Sequence, residues 1–170
     1  MQAFAAEGHP LVGTTLLQNM ERLVQEVQAP EPDLVVNWQA SSELRAGADT
    51  EDDVWLHLQA TTSLPLTCQR CMGAVTTPLS VDQWYRFVAT EEIAMAEDDQ
   101  SEEDLLVMVP QFDLLAVLED ELLMALPLVP MHAQCPVTPV LSVGEIESTD
   151  SVMEKPNPFA VLAQLKDKKS

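Results

Sequence analysis

At 170 residues the chain has the length of one domain and can bury a core without disulfides or an obligatory metal. Its 28 acidic against 8 basic residues, a net charge of −20, argue against an extensive grip of the body on a nucleic-acid backbone, since that affinity comes from Lys and Arg displacing counterions. The opening M-Q-A-F-A-A-E-G-H-P lacks a basic start followed by an apolar run, and no stretch reaches the ~20 apolar residues of a membrane span, so the expected location is the cytoplasm, away from membranes.

The four lysines, Lys155, Lys166, Lys168 and Lys169, fall in the last sixteen residues with Asp167 as the lone acid there, so that tail is +3 and the remainder −23. Such a field attracts a basic protein and speeds its encounter, although an acidic surface also serves solubility alone. Thiols stay reduced in the cytoplasm, and three cysteines, an odd number, argue against a disulfide framework.

In chain order, residues 15 to 27 predict an amphipathic helix. Leu16, Met20, Leu23, Val24 and Val27 recur at helical spacing, Thr15 and Gln18 form a capping-box pattern, and Q-A-P-E-P ends the segment. Period-2 patterning follows. Leu34, Val36, Trp38 and Ala40, then Val54, Leu56, Leu58 and Ala60, then Val75, Leu79, Val81, Tyr85 and Phe87 alternate with polar or outward residues, which predicts three or four antiparallel strands. The polar run A-G-A-D-T-E-D-D joins the first pair and the turn C-Q-R-C-M-G the next.

Residues 90 to 104 carry eight acids and no base, and are expected to form a flexible acidic loop. After L-L-V-M-V, residues 113 to 126 predict a helix capped by Asp113 and stopped by Pro127, with Leu115, Leu118, Leu122 and Leu126 on its buried face. Glu119, Asp120 and Glu121 then form a solvated face open to a basic partner. The segment from Pro127 to Val140 is extended, residues 142 to 155 read as a linker, and Asn157 with Pro158 opens a last helix, making the stretch 142–170 a linker plus C-terminal helix. The expected fold is α+β: a curved, mainly antiparallel sheet, barrel-like in its curvature, with flanking helices in a single domain spanning residues 1–170.

Cys68 and Cys71 frame a tight turn, and Gly73 lets the backbone bring its amides toward the sulfurs. Three readings stand open. With His132 and Cys135 of H-A-Q-C the pair makes a Cys3His donor set whose softness and geometry suit zinc. Alternatively it is a structural turn, or a redox pair. A redox dithiol sits where a strand enters a helix, which lowers a thiol pKa, whereas this pair separates two strand-like runs. No Gly-rich phosphate loop, G-x-S-x-G or His-Glu pair at helical spacing is present, and His9 and His57 are isolated.

C-Q-R-C at 68–71, then D-L-L-A-V-L-E-D-E-L-L-M-A-L-P-L-V-P-M-H at 113–132, then a cysteine, then K-P-N-P-F-A-V-L-A-Q-L-K at 155–166 closely resemble the bacterial YceD family over roughly residues 10 to 168. Members of that family are described as large-subunit ribosomal RNA accumulation proteins. The resemblance implies a non-enzymatic accessory role in synthesis, processing or stability of large-subunit (23S) ribosomal RNA. Such a role would be exercised through a basic ribosomal protein or rRNA-processing factor. The family is often encoded beside a small basic protein of the large ribosomal subunit. Some relatives look as though they carry a second cysteine pair where this chain has His132 and Cys135. K-P-N-P-F matches at Lys155, Pro156, Asn157, Pro158 and Phe159. Helix capping and a buried aromatic account for the last three, which leaves Lys155 for a contact with RNA or an acidic partner. The competing class is an RNA-processing or redox enzyme using Cys68 and Cys71.

Overall fold

A computed structural model describes residues 2–47 and 52–136. The elements are helix α1 (Gln2–Glu7), strand β1 (Leu11–Leu16), two 3-10 turns (Leu17–Asn19 and Leu23–Glu26), strands β2 (Val35–Ala46), β3 (Asp52–Thr67) and β4 (Ala74–Val88), helix α2 (Glu91–Glu97) with a 3-10 turn (Asp98–Gln100), strand β5 (Asp104–Val107) and helix α3 (Leu114–Met124). The fold is α+β. Its five strands lie in the order β1-β2-β3-β4-β5, antiparallel through β4, with β5 parallel to β4, and the sheet is open with β1 and β5 at its edges.

The alternation read from the sequence decides which face is buried. Val54, Leu56, Leu58 and Ala60 of β3 pair with Phe87, Tyr85, Gln83 and Val81 of β4, and these rows, except the half-buried Gln83, lie in the core with Val36 and Ala40 of β2. Leu118 and Leu122 of α3 and Ala5 of α1 close over that inner face.

Residues 15 to 27 depart from the expected helix. Leu11–Leu16 pair with Ala40–Val35 as an edge strand, and the Thr15 hydroxyl, instead of capping a helix, accepts the Trp38 Nε1–H at 3.0 Å. The rest forms two 3-10 turns, yet Leu17, Met20, Leu23 and Val27 are buried. Of the residues expected on the buried face, Met20, Leu23 and Val27 are buried, Val24 is half-buried and Leu16 is exposed at the end of β1; residues three apart eclipse in a 3-10 turn and share a face in an α-helix, so that spacing did not distinguish the two.

The acidic stretch is likewise more ordered than a loop: Thr90 caps α2 by accepting the Ile93 N–H, and Arg86 ties the segment down through Glu97 and Glu103, each at 2.8 Å. The apolar run 105–107 becomes β5, parallel to β4 because α2 carries the chain between them. In α3 Asp113 caps as expected, accepting from Leu115 and Ala116, and Leu118 and Leu122 are buried, but Leu115 is exposed and Glu119 takes its place inside. No helix among the described residues is long and apolar enough to cross a membrane. The linker and helix expected within 142–170, with Lys155, lie outside the described residues.

Candidate metal centre

The turn between β3 and β4 places the first two donors. Thr67 pairs with Ala74, and inside this closure the Cys68 N–H donates to the Gly73 carbonyl and the Met72 N–H to the Cys68 carbonyl, each at 2.9 Å. Met72 adopts the left-handed conformation at φ 59°, so the chain reverses in six residues and both sulfurs are held on one side. A Cβ at Gly73 would stand 3.6 Å from the Cys71 sulfur, an ordinary contact. The left-handed position of the turn is Met72, so neither space nor backbone conformation reserves position 73 for glycine.

The other two donors lie on a strap, residues 127–136, that leaves α3 without regular structure. Pro127 ends the helix, and the Pro130 carbonyl accepts the Gln69 N–H at 2.9 Å, bringing the strap alongside the turn. The Cys68 and Cys135 sulfurs are then 3.9 Å apart, Cys71 Sγ and His132 Nδ1 are 3.5 Å apart, and all four donor atoms lie within 4.8 Å of one another. A zinc ion bonded at about 2.3 Å to sulfur and 2.0 Å to nitrogen spans a tetrahedron with S···S edges of about 3.8 Å and S···N edges of about 3.5 Å. The donor set fits such an ion in number, softness and spacing.

The surroundings favour anionic sulfur at one position. Burial acts to raise the Cys68 thiol, but the N–H groups of His132, Cys71 and Arg70 and the His132 side chain outweigh it and bring the thiol down to about 5. Cys71 moves the other way. The Gly73 N–H would lower it, yet burial and the sulfurs of Cys135 and Cys68 raise it, because neighbouring thiolates oppose a further negative charge. Three thiolates with one divalent cation carry a net −1. Arg70, whose Nε donates to the Cys135 sulfur at 3.0 Å and whose terminal nitrogen donates to the His132 carbonyl at 2.5 Å, stands where that charge is offset. The contact with Cys135 in turn holds the guanidinium above its ordinary pKa. Arg70 was visible in the sequence as the cation inside C-Q-R-C, but its reach across to the strap depends on the folded turn.

The carboxylates of α3 separate into two kinds. Glu119 is not part of a solvated face: it is 8% exposed, and its Oε1 accepts the Arg22 and Leu23 N–H groups at 2.8 and 3.1 Å while Oε2 accepts from the Arg22 guanidinium at 3.2 and 3.0 Å. Asp120 is exposed and also meets Arg22, and Glu121 is half-buried.

The sequence profile of the family described as "Large ribosomal RNA subunit accumulation protein YceD" matches residues 56–166 of the chain. A protein of Haemophilus influenzae carrying the same description is 40% identical over 108 residues, which are 61% of this chain and 60% of the relative. The chain thus aligns with less than two thirds of that relative's length. No solved structure matches it. The matched region holds the cysteine turn, α3 and the strap, the segments that build the donor cluster, and the chain belongs to the YceD family.

Proposed function

We propose that the chain is a non-enzymatic accessory factor in the accumulation of large-subunit ribosomal RNA, which captures a basic ribosomal protein or rRNA-processing factor on its acidic surface. Family membership supports the ribosomal RNA part of the reading. The observation that carries the mechanism is how the arginines are spent. All four among the described residues are already engaged: Arg22 with Glu119 and Asp120, Arg45 with Glu43, Arg70 at the sulfur cluster, and Arg86 with Glu97, Glu103 and Asp53. A surface with its cations so committed, on a chain of net −20, offers little to phosphate and much to a basic protein. Asp120, Glu121 and the acidic residues of 91–104 are the contact groups in this reading, with Glu119 positioning α3 from inside. Lys155 is assigned to RNA or an acidic partner.

Zinc held by Cys68, Cys71, His132 and Cys135 completes the proposal as a structural fastener between the cysteine turn and the strap. The arrangement disfavours the redox alternative, since Cys68 is fully buried and the pair joins two strands with no helix N-terminus beside it among the described residues. The test is capture from lysate at low salt followed by a salt gradient. Recovery of basic ribosomal or rRNA-processing proteins, released as salt rises and equally with C68S/C71S if the variant stays folded, is expected. Recovery of none, or an activity abolished by C68S/C71S, would reject it.

A further inference from the structure

The outward face of β2, β3 and β4 carries a cluster that neither the core nor the sulfur site uses. Arg45, Trp55, His57 and Trp84 lie on it in adjacent register, with Glu43 opposite Trp55 and His57 opposite Trp84. The Arg45 guanidinium carbon lies 4.2 Å from the ring centroid of Trp55 and 4.2 Å from that of Trp84, the two indoles meeting edge-on at 6.4 Å. Glu43 Oε1 accepts the Arg45 Nε–H at 2.5 Å. His57 stacks on Trp84 at 4.1 Å and meets Asp82 through Nε2 at 2.6 Å.

A guanidinium is recognised by π faces to sit on and a carboxylate to bond, and this place supplies both. Its present occupant comes from the chain itself. Arg45 and Glu43 are half-exposed, and an exposed ion pair and an exposed cation–π contact are each weak, so the occupant can be exchanged. The carboxylates on and beside this face, Glu43, Asp53, Asp82, Glu97 and Glu103, outnumber Arg45 and Arg86, which matches a cationic visitor and opposes a phosphate chain that could otherwise stack bases on the indoles.

We propose that the Trp55–Trp84 pair with Glu43 is an arginine-reading slot in the docking surface for a basic protein partner, and that Arg45 fills the slot until a partner arginine displaces it. This rests on the proposed capture of a basic partner and names where on the surface that capture is read.

The test titrates the full chain with nona-arginine, and separately with an oligouridine, following tryptophan fluorescence and calorimetry at low salt. Nona-arginine binds, and Trp55→Phe with Trp84→Phe, which keeps an aromatic ring at each position but a smaller one with a weaker quadrupole, lowers its affinity about tenfold. Arg45→Ala tightens binding several-fold in the native background and much less in the double-Phe background. Removal of a positive charge alone would tighten both equally. Glu43→Gln, which needs no change in the rings, weakens binding and serves if the double-Phe protein does not fold. Binding of nona-arginine that ignores Trp55, Trp84 and Glu43 overturns the slot and leaves capture by the acidic body standing. Failure of nona-arginine to bind at all overturns both. Oligouridine binding that quenches the tryptophans and is lost in the double-Phe protein overturns the slot in favour of RNA.

Discussion

Arg22 and Glu119, 97 positions apart, are joined through both backbone and side chain: Glu119 Oε1 accepts the Arg22 N–H at 2.8 Å, and Oε2 accepts from the guanidinium at 3.2 and 3.0 Å. One carboxylate thereby caps a 3-10 turn and holds α3 against it.

Glu119→Ala leaves the Arg22 and Leu23 N–H groups without their acceptor and is expected to cost about 2–4 kcal/mol, while Glu119→Gln, which keeps an acceptor oxygen, costs roughly 1 kcal/mol. Urea unfolding of the three proteins at neutral pH checks the order. The pair also has a pH signature. Burial acts to raise the Glu119 carboxyl, but the N–H groups of Leu23 and Arg22 and the guanidinium outweigh it and hold the group below its ordinary 4.5. A carboxyl lowered by folding contributes its full stability above the unfolded value and loses it as pH falls through the lowered folded value. The gap between native protein and Glu119→Gln is therefore expected to be constant above about pH 5 and to close below pH 4. A gap unchanged down to pH 3 would contradict the assignment.

Near one zinc per chain is expected in untagged protein prepared without chelator, and none in C68S/C71S, measured by elemental analysis. Chelation should lower the melting temperature by roughly 6–12 °C, the equivalent of about 3 kcal/mol in a domain of this size. Zinc retention should fail on acidification, because protons compete with the metal for the thiolate and imidazole donors. Retention unchanged between pH 8 and pH 5 would argue against thiolate ligation.

Arg70→Ala should lower zinc affinity by about 10-fold while leaving one zinc per chain at saturation, since the residue touches Cys135 and the His132 carbonyl without being a ligand. Competition with a chromophoric chelator reads this directly. Arg70→Lys should recover only part of it, because an ammonium cannot reach both groups with the guanidinium's fork geometry.

Gly13 faces Trp38 across the β1–β2 pair, and a Cβ there would fall 2.3 Å from the indole. Gly13→Ala must displace the ring from the Thr15 hydroxyl it donates to and should cost about 1–3 kcal/mol. A fluorescence change at Trp38 accompanying the lower urea midpoint would identify the cause. An unchanged midpoint would show that the indole moves freely.

The β3 and β4 rows were legible because each strand buries one face only, and Leu56 and Leu58 announce that face against Trp55 and His57 without help from elsewhere in the chain. The donor set was legible as two half-sites, Cys68 with Cys71 and His132 with Cys135. Their convergence was not, because it depends on the Pro130 carbonyl finding the Gln69 N–H across some sixty residues of intervening structure. β1 was hidden for a similar reason. Leu16, Met20, Leu23, Val24 and Val27 carry helical spacing, and what turns the chain instead is the pairing of Leu11–Leu16 with β2 and the carboxylate of Glu119. β5 has four residues and a parallel partner, so it exists only once α2 has carried the chain across. The capping of α2 by Thr90 was present in T-E-E-I and was outweighed by the acidic composition that follows.

The strap has a temporal consequence. Its donors emerge in synthesis only after β1 to β5 and α3, so a metal seated among them cannot seed the sheet. It can only latch a chain whose long loop has already closed. Occupancy would then record completed assembly, and a cell short of zinc would release the strap while the sheet beneath it stayed intact.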